Sequence, residues 1–140
     1  MLKMEILDNA ITSMSNLMDK VLDENQMSML DDVTRLGLQA GVIKHFEICY
    51  ELCWKFIQRW VNENYHLTEE DFPRSRKDLF RFAAKIGLID DVEAWLRFGD
   101  ARNLSVHVYD SKQAKEVYEI ACSFISKARE LYHALEKTSD

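Results

Sequence analysis

The sequence predicts an all-α fold, an antiparallel up-and-down bundle of the four-helix type with one of its helices split in two. Three observations carry that prediction. Apolar residues recur at three- and four-residue intervals through most of the chain, the spacing of one face of an α-helix. One proline and four glycines in 140 residues leave few forced interruptions. Alternating β-branched runs of the kind that build strands are scarce. At this length the chain is expected to form a single domain over residues 1–140, large enough for its own core.

Each element has its own signal. Residues 2–23 carry Leu7, Ala10, Ile11, Met14, Leu17, Met18 and Val21 on one stripe, broken by Asp23-Glu24-Asn25-Gln26. A second helix is expected over residues 30–64, with a bend or a close helix contact near Gly37 and Gly41. From Ile43 to Val61 it is apolar over most of its circumference, with Trp54 and Trp60 among the large side chains. A helix with two apolar faces needs cover on both, and a second copy of the chain is the economical cover. The polar stretch Asn62 to Phe72 reads as the main loop. Pro73 suits a first helical position, or Ser75 caps with Asp78 three residues on; Leu79, Phe80, Phe82, Ala83 and Ile86 then form a short helix over residues 74–86. Gly87 ends it, with Leu88 folding back on the last turn. Asp90, with Glu93 three residues later, is predicted to cap the next helix over residues 91–109. The cleanest periodicity follows over residues 111–136, opened by a capping box of Asp110 and Gln113.

Composition narrows the class. With 47% hydrophobic and 30% charged residues the chain reads as a globular protein, and no apolar run reaches membrane-spanning length. The start lacks a signal-peptide pattern, so a cytoplasmic location with Cys49, Cys53 and Cys122 reduced is expected. A net charge of −6 argues against general coating of nucleic acid, though not against a local basic site. Arg74, Lys77, Arg81 and Lys85 share one helix face. A solvated face is the plainer reading, favoured by Asp78 beside it; the sharper one makes Arg74, Lys77 and Arg81 a phosphate or acidic-partner contact. His45, Cys49 and Cys53 also share a stripe, but its ends lie about 12 Å apart along a helix, too far for one ion. Buried thiols and no metal site are expected there, and His66 and His133 stand alone.

Functional side chains are densest from Asp100 to Asp110, at the joint between two helices. Asp100, Asn103 and His107 fall on one stripe of a continuous helix. Arg102 starts well round the cylinder, so its long side chain or a loosened last turn must bring it to His107. Tyr109 precedes the Asp110 cap. Glu47 and Glu51, one turn apart on the apolar helix, are either a solvated edge or a brace that orients Arg102 or His107 across the bundle; their apolar neighbours favour the brace. An imidazole moves protons near neutral pH and a guanidinium holds phosphate oxygens, so the pair can cleave RNA without metal when a dimer supplies two copies. The amides opening the last helix favour anions, although Asp110 would occupy them. Read from the residues alone, Arg102, Asn103 and His107 are more simply a polar cluster locking helices together.

Arg102, four intervening residues, His107 and then Tyr109, with polar Asn103 after the arginine, resemble the signature of the HEPN superfamily of small all-helical proteins. The stretch Phe46-Glu47-Ile48-Cys49-Tyr50-Glu51-Leu52-Cys53-Trp54-Lys55, Pro73-Arg74, the run Phe82-Ala83-Ala84-Lys85-Ile86-Gly87-Leu88-Ile89 and Trp95-Leu96 narrow it. Together they resemble the branch called nucleotidyltransferase substrate-binding proteins, over nearly the whole chain. The resemblance implies functional roles for Arg102, Asn103, His107 and Tyr109, but not for Ser105. It implies a homodimer and a small nucleotidyltransferase as partner, with ATP and Mg in that partner and no cofactor in this chain. Two functions follow. In one, the chain is a substrate-binding partner subunit resembling the HEPN toxin of a toxin–antitoxin pair, with Tyr109 as acceptor of AMP. In the other it is an active metal-independent endoribonuclease using Arg102 and His107 across a dimer cleft, with RNA or a nucleotide as substrate. A non-catalytic helical dimerisation module is a third.

Overall fold

The structure, a computed structural model, describes residues 3–107 and 111–138, with backbone alone at His107, Ser111 and Thr138. Its elements in chain order are α1 (Met4–Leu22), α2 (Glu24–Ser28), α3 (Asp32–Asn64), α4 (Arg76–Lys85), α5 (Val92–Leu104), a 3₁₀ turn (Ser105–His107) and α6 (Ser111–Thr138). No strand occurs among the described residues. The long helices α1, α3 and α6 pack on one another, while α4 and α5 together fill the fourth position.

The apolar stripes meet where their spacing directs them. Leu7, Ile11, Met14, Met18 and Val21 of α1 face Val117, Ala121, Phe124, Ala128, Leu131 and Leu135 of α6 and the buried positions of α3 in one core. Phe124 is its aromatic hub, edge-on to Phe46 at 5.1 Å, to Phe98 at 5.1 Å and to Trp95 at 5.7 Å between ring centroids. Trp95 stacks on Phe80 at 5.2 Å, so the same aromatic group welds α4 and α5 to the long helices. At the rim, Arg129 donates to Asp8 at 2.6 Å and to Thr12 at 3.1 Å, pinning α6 to α1.

Several sequence expectations change at this level. The break after α1 contains a short helix of its own, capped by Asp23, whose carboxylate accepts from the Gln26 amide at 3.1 Å. Five residues are too few for an apolar period to show. α3 runs unbroken through both glycines; Gly41 instead lets α1 come close, since a Cβ there would lie 3.4 Å from Leu17 Cδ2. The two apolar faces of α3 are covered from within, by α1 and α6 and by α4 and α5. The two-faced helix therefore gives no reason by itself for a second copy. The cap of α5 is Asp91, accepting from Ala94 N at 3.0 Å, and not Asp90. Leu88 and Ile89 are drawn into the core, which carries the chain one residue further before it can turn, and Asp90 reaches Lys127 of α6 at 3.5 Å instead. The end of α4 follows the expected pattern: Gly87 has φ +85°, its amide bonds Ala84 O and that of Leu88 bonds Ala83 O.

Candidate functional site

α5 stops at Leu104, and Ser105–His107 wind more tightly as a 3₁₀ turn. The cause is local. Ser105 Oγ donates to the Arg102 carbonyl at 2.6 Å, and Ser105 N bonds the carbonyls of Ala101 and Arg102, tightening the last turn. The stripe of Asp100, Asn103 and His107 on a continuous α-helix is therefore broken before it reaches the histidine. The side chain of His107 and the whole of Tyr109 and Asp110 lie outside the described residues, so the Asp110 cap and the position of Tyr109 beside it do too.

Arg102 sits in a frame of polar groups from α3 and its own turn. Its Nη1 donates to Ser105 Oγ at 3.2 Å. Its Nε is 3.4 Å from Glu51 Oε1, and its Nη1 is 3.9 Å from Glu47 Oε2. These are ion pairs without good hydrogen-bond alignment: Nε is buried with no hydrogen-bond partner among the described residues. The Arg102 side chain as a whole is about a quarter exposed. Glu47 is also 3.8 Å from Lys44.

Glu51 is held far more tightly by a different arginine. Arg76 Nη1 and Nη2 donate to Glu51 Oε1 and Oε2 at 2.6 and 2.8 Å, a two-pronged pair. The Arg76 guanidinium lies 4.6 Å from the centre of the Trp54 ring and 5.9 Å from that of Tyr50. Burial outweighs the nearby Arg76 charge and raises the Tyr50 hydroxyl above its ordinary pKa, which keeps it a neutral phenol. Gly99 of α5 makes room for that phenol, since a Cβ there would stand 2.8 Å from its oxygen.

Beside this frame is a small hollow of about 80 Å³, walled by Tyr50, Arg76, Lys77, Gly99, Asp100 and Asn103 over the rings of Phe80 and Trp95. Asn103 is exposed on its edge. Asp100 faces Lys77 at 3.9 Å and has no ion pair to Arg102. The expected basic stripe divides: Arg74 precedes α4, whose cap is Ser75, and lines with Arg81 and Lys85 a groove of about 420 Å³ that also holds Phe72, Pro73 and Phe82, whereas Lys77 turns to the smaller hollow. Glu70, Asp71 and Asp78 line that groove too, and Arg81 is paired with Asp78 at 3.2 Å, which offsets its positive charge. The two sets of cations thus do not form one patch.

Sequence reasoning set Ser105 aside and passed over Arg76. Ser105 had a local signal, its place three residues after Arg102, where a hydroxyl reaches back to the carbonyl. Arg76 had none, because its partner Glu51 is 25 residues away in the chain. On the stripe of His45, Cys49 and Cys53, both thiols are fully buried, and burial raises Cys49 to about 12 and Cys53 well above its ordinary value. Cys49 Sγ donates to the Ala10 carbonyl at 3.2 Å.

Comparison with known proteins identifies the family and the fold. The family model described as nucleotidyltransferase substrate binding protein like matches residues 2–137. A Haemophilus influenzae protein named probable ribonuclease HepT is 30% identical over 136 residues, covering 97% of this chain and 93% of its own. A solved Haemophilus influenzae structure, presented as revealing the fold of a substrate binding domain of a nucleotidyltransferase, superposes with a TM-score of 0.90. It is 30% identical, covering 96% of this chain and 99% of that one. A Thermus thermophilus structure shares the fold at a TM-score of 0.69 and 22% identity, over 90% and 98% of the two chains. No described helix is long and apolar enough to cross a membrane. The all-helical bundle is thus the fold of these neighbours, and the chain belongs to the nucleotidyltransferase substrate-binding protein family.

Proposed function

We propose that this chain is the HEPN-type partner subunit of a two-component minimal nucleotidyltransferase system, and that its Arg102 motif takes a phosphate of RNA. The carrying observation is the state of Arg102: its guanidinium is braced by Glu47, Glu51 and Ser105, yet among the described residues it is only loosely ion-paired, on a side chain about a quarter exposed. A cation so held is oriented without being neutralised, which suits a planar, two-pronged grip on phosphate oxygens. Asn103 and Lys77 edge the adjoining hollow and supply an amide and a second cation. Ile48, next to Glu47 in the chain, and Val106, next to Ser105, are exposed apolar side chains that a second copy of the chain would bury. That homodimer would bring two motifs to one cleft.

Cleavage of the bound RNA is the reaction this reading favours, and the name of the Haemophilus relative supports it. One His107 takes the proton of a ribose 2′-hydroxyl, whose oxygen forms a bond to the adjacent phosphorus. The P–O5′ bond breaks, the His107 of the second copy protonates the leaving oxygen, and Arg102 stabilises the charge gathered on phosphorus. The products are a 2′,3′-cyclic phosphate and a 5′-hydroxyl. The nucleotidyltransferase, with its own ATP and Mg, switches the motif off by joining the Tyr109 oxygen to the α-phosphorus of ATP, with pyrophosphate leaving. A second reading, favoured by the family description, keeps the phosphate site without cleavage and has the subunit present substrate to its partner.

Two measurements test this. Purified chain is incubated with RNA, and cleavage abolished in His107→Ala is the expected outcome; no cleavage, with a stable complex with the partner, leaves the presenting role. Intact mass after incubation with the partner and ATP should show one AMP per chain, absent in Tyr109→Phe. No gain in mass would refute the acceptor role of Tyr109.

A further inference from the structure

We infer that Arg76 is a positioning residue that keeps Arg102 available to its ligand by occupying Glu51. This rests on the proposed phosphate-binding role of Arg102. The observation is the unequal sharing of one carboxylate between two arginines. Arg76 takes both Glu51 oxygens at 2.6 and 2.8 Å, whereas Arg102 approaches one of them at 3.4 Å through Nε, without a hydrogen bond. A carboxylate accepts more bonds than these, but its direction is fixed by the stronger, two-pronged pair. The flat face of Arg76 packs on Trp54 at 4.6 Å, so the guanidinium that fixes Glu51 is itself fixed. With Arg76 in place, Glu51 braces Arg102 at Nε while Ser105 takes one hydrogen of Nη1, so the guanidinium is held in position with its remaining terminal N–H groups able to reach a phosphate. Without it, the Glu51 carboxylate is free to close on Arg102 as a two-pronged pair of its own, from a separation already of 3.4 Å. The guanidinium would then be neutralised by the protein and withdrawn from RNA.

The charges nearby agree with this sharing. Glu47 and Glu51 bring two negative charges to the frame, and Lys44 and Arg76 offset them, so among the described residues the frame keeps one net positive charge, that of Arg102. A lysine at position 76 would keep the charge of Arg76 but not its fork, so one Glu51 oxygen would be released.

The test is binding of a 2′-O-methyl oligoribonucleotide, which has no 2′-hydroxyl to react, by the full chain. Arg76→Lys should weaken binding by about tenfold, the effect of removing one charge-assisted hydrogen bond between Arg102 and phosphate. Arg76→Ala should weaken it at least as much, and thermal melting verifies that each variant is folded. Adding Glu51→Gln to Arg76→Lys should restore most of the affinity, because the neutral amide no longer competes for Arg102. A lesion in packing alone would not be repaired by removing a second charge. Weakened binding in Arg102→Ala but not in Arg76→Lys overturns the inference and leaves the phosphate site standing, as does a weakening that Glu51→Gln does not reverse. Full binding by Arg102→Ala overturns the phosphate site and this inference together.

Discussion

Gly99 and Gly37 make a matched pair for a quantitative test of how tightly the frame around Tyr50 is built. Both lie inside α-helices, α5 and α3, so replacing either with alanine gains the same helix propensity, about 0.8–1 kcal/mol. At Gly37 a Cβ meets nothing within 4 Å, and Gly37→Ala should stabilise the protein by about that amount. At Gly99 the new methyl would lie 2.8 Å from the Tyr50 oxygen. That phenol cannot swing away, since its ring is buried between Phe46 and Phe80 and faced by Arg76. Overpacking of this kind costs about 1–3 kcal/mol, so Gly99→Ala should come out between neutral and about 2 kcal/mol destabilising. The difference between the variants, about 1–3 kcal/mol, isolates the clash because the propensity gain cancels. Urea denaturation at equilibrium reads it directly. The cause is tested in a double-mutant cycle with Tyr50→Phe. Removing the hydroxyl leaves Cζ, at 3.7 Å, as the nearest atom, an ordinary van der Waals separation, so Gly99→Ala should become stabilising in that background. Equal stabilisation by the two alanines in the native background would refute the packing argument.

Two further outcomes concern the cap of α5 and a buried thiol. Asp91→Ala should destabilise by about 1 kcal/mol by removing the Ala94 cap, whereas Asp90→Ala, a largely exposed carboxylate whose partner is a lysine at 3.5 Å, should cost clearly less; urea midpoints of the two variants decide which aspartate caps α5. Stability should also fall on the alkaline side. Burial holds the Cys49 thiol protonated in the folded state from 9.0 up to about 12, while the unfolded thiol ionises above 9.0, so the unfolded state binds fewer protons across that window. This one thiol then removes about 1.4 kcal/mol per pH unit as pH rises past 9, and Cys49→Ala should flatten the slope of unfolding free energy between about pH 9 and 10.5. An unchanged slope would refute the assignment.

The limits of the sequence reading follow from the range of each signal. Periodicity is local, so the stripes of α1, α3, α4 and α6 could be read from residues three or four apart. Capping is local too: Ser75 accepts from Asp78 N at 3.1 Å, and Gly87 closes α4 with a left-handed turn. The choice between Asp90 and Asp91 was not local, because burial of Leu88 and Ile89 against other helices decided it. The end of α5 failed for a related reason. A helical wheel drawn through His107 assumes constant pitch, and the back-bonding hydroxyl of Ser105 tightens the pitch at the residues that matter. The site was legible only in part. Glu47, Glu51 and Arg102 could be marked as candidates, and the fold brings them together. That a second arginine from α4 holds the same carboxylate depends on the arrangement of three helices, which no spacing along the chain encodes.

A protein of net charge −6 that grips RNA must do so with few cations, and salt dependence counts them. Each phosphate neutralised on a single strand contributes about −0.7 to the slope of log affinity against log salt. Arg76 also lines the hollow but is taken up by its two-pronged pair with Glu51, which leaves Arg102 and Lys77 to be counted at the proposed phosphate site and its hollow, giving about −1.4 for one copy and about −2.8 for a cleft formed by two. The groove of Arg74, Arg81 and Lys85 is offset by Glu70, Asp71 and Asp78, so it should add nothing. Titrating a 2′-O-methyl oligoribonucleotide between low and physiological salt therefore distinguishes three arrangements by slope alone. Arg74→Ala should leave the slope where it was, and Lys77→Ala should make it shallower by about 0.7 per copy. A slope steeper than about −4 would mean that RNA spreads over cations outside the site. The loosely paired Arg102 would then not be the anchor, because a slope of about −4 means about six phosphates neutralised, more than the four cations that two copies of the site supply.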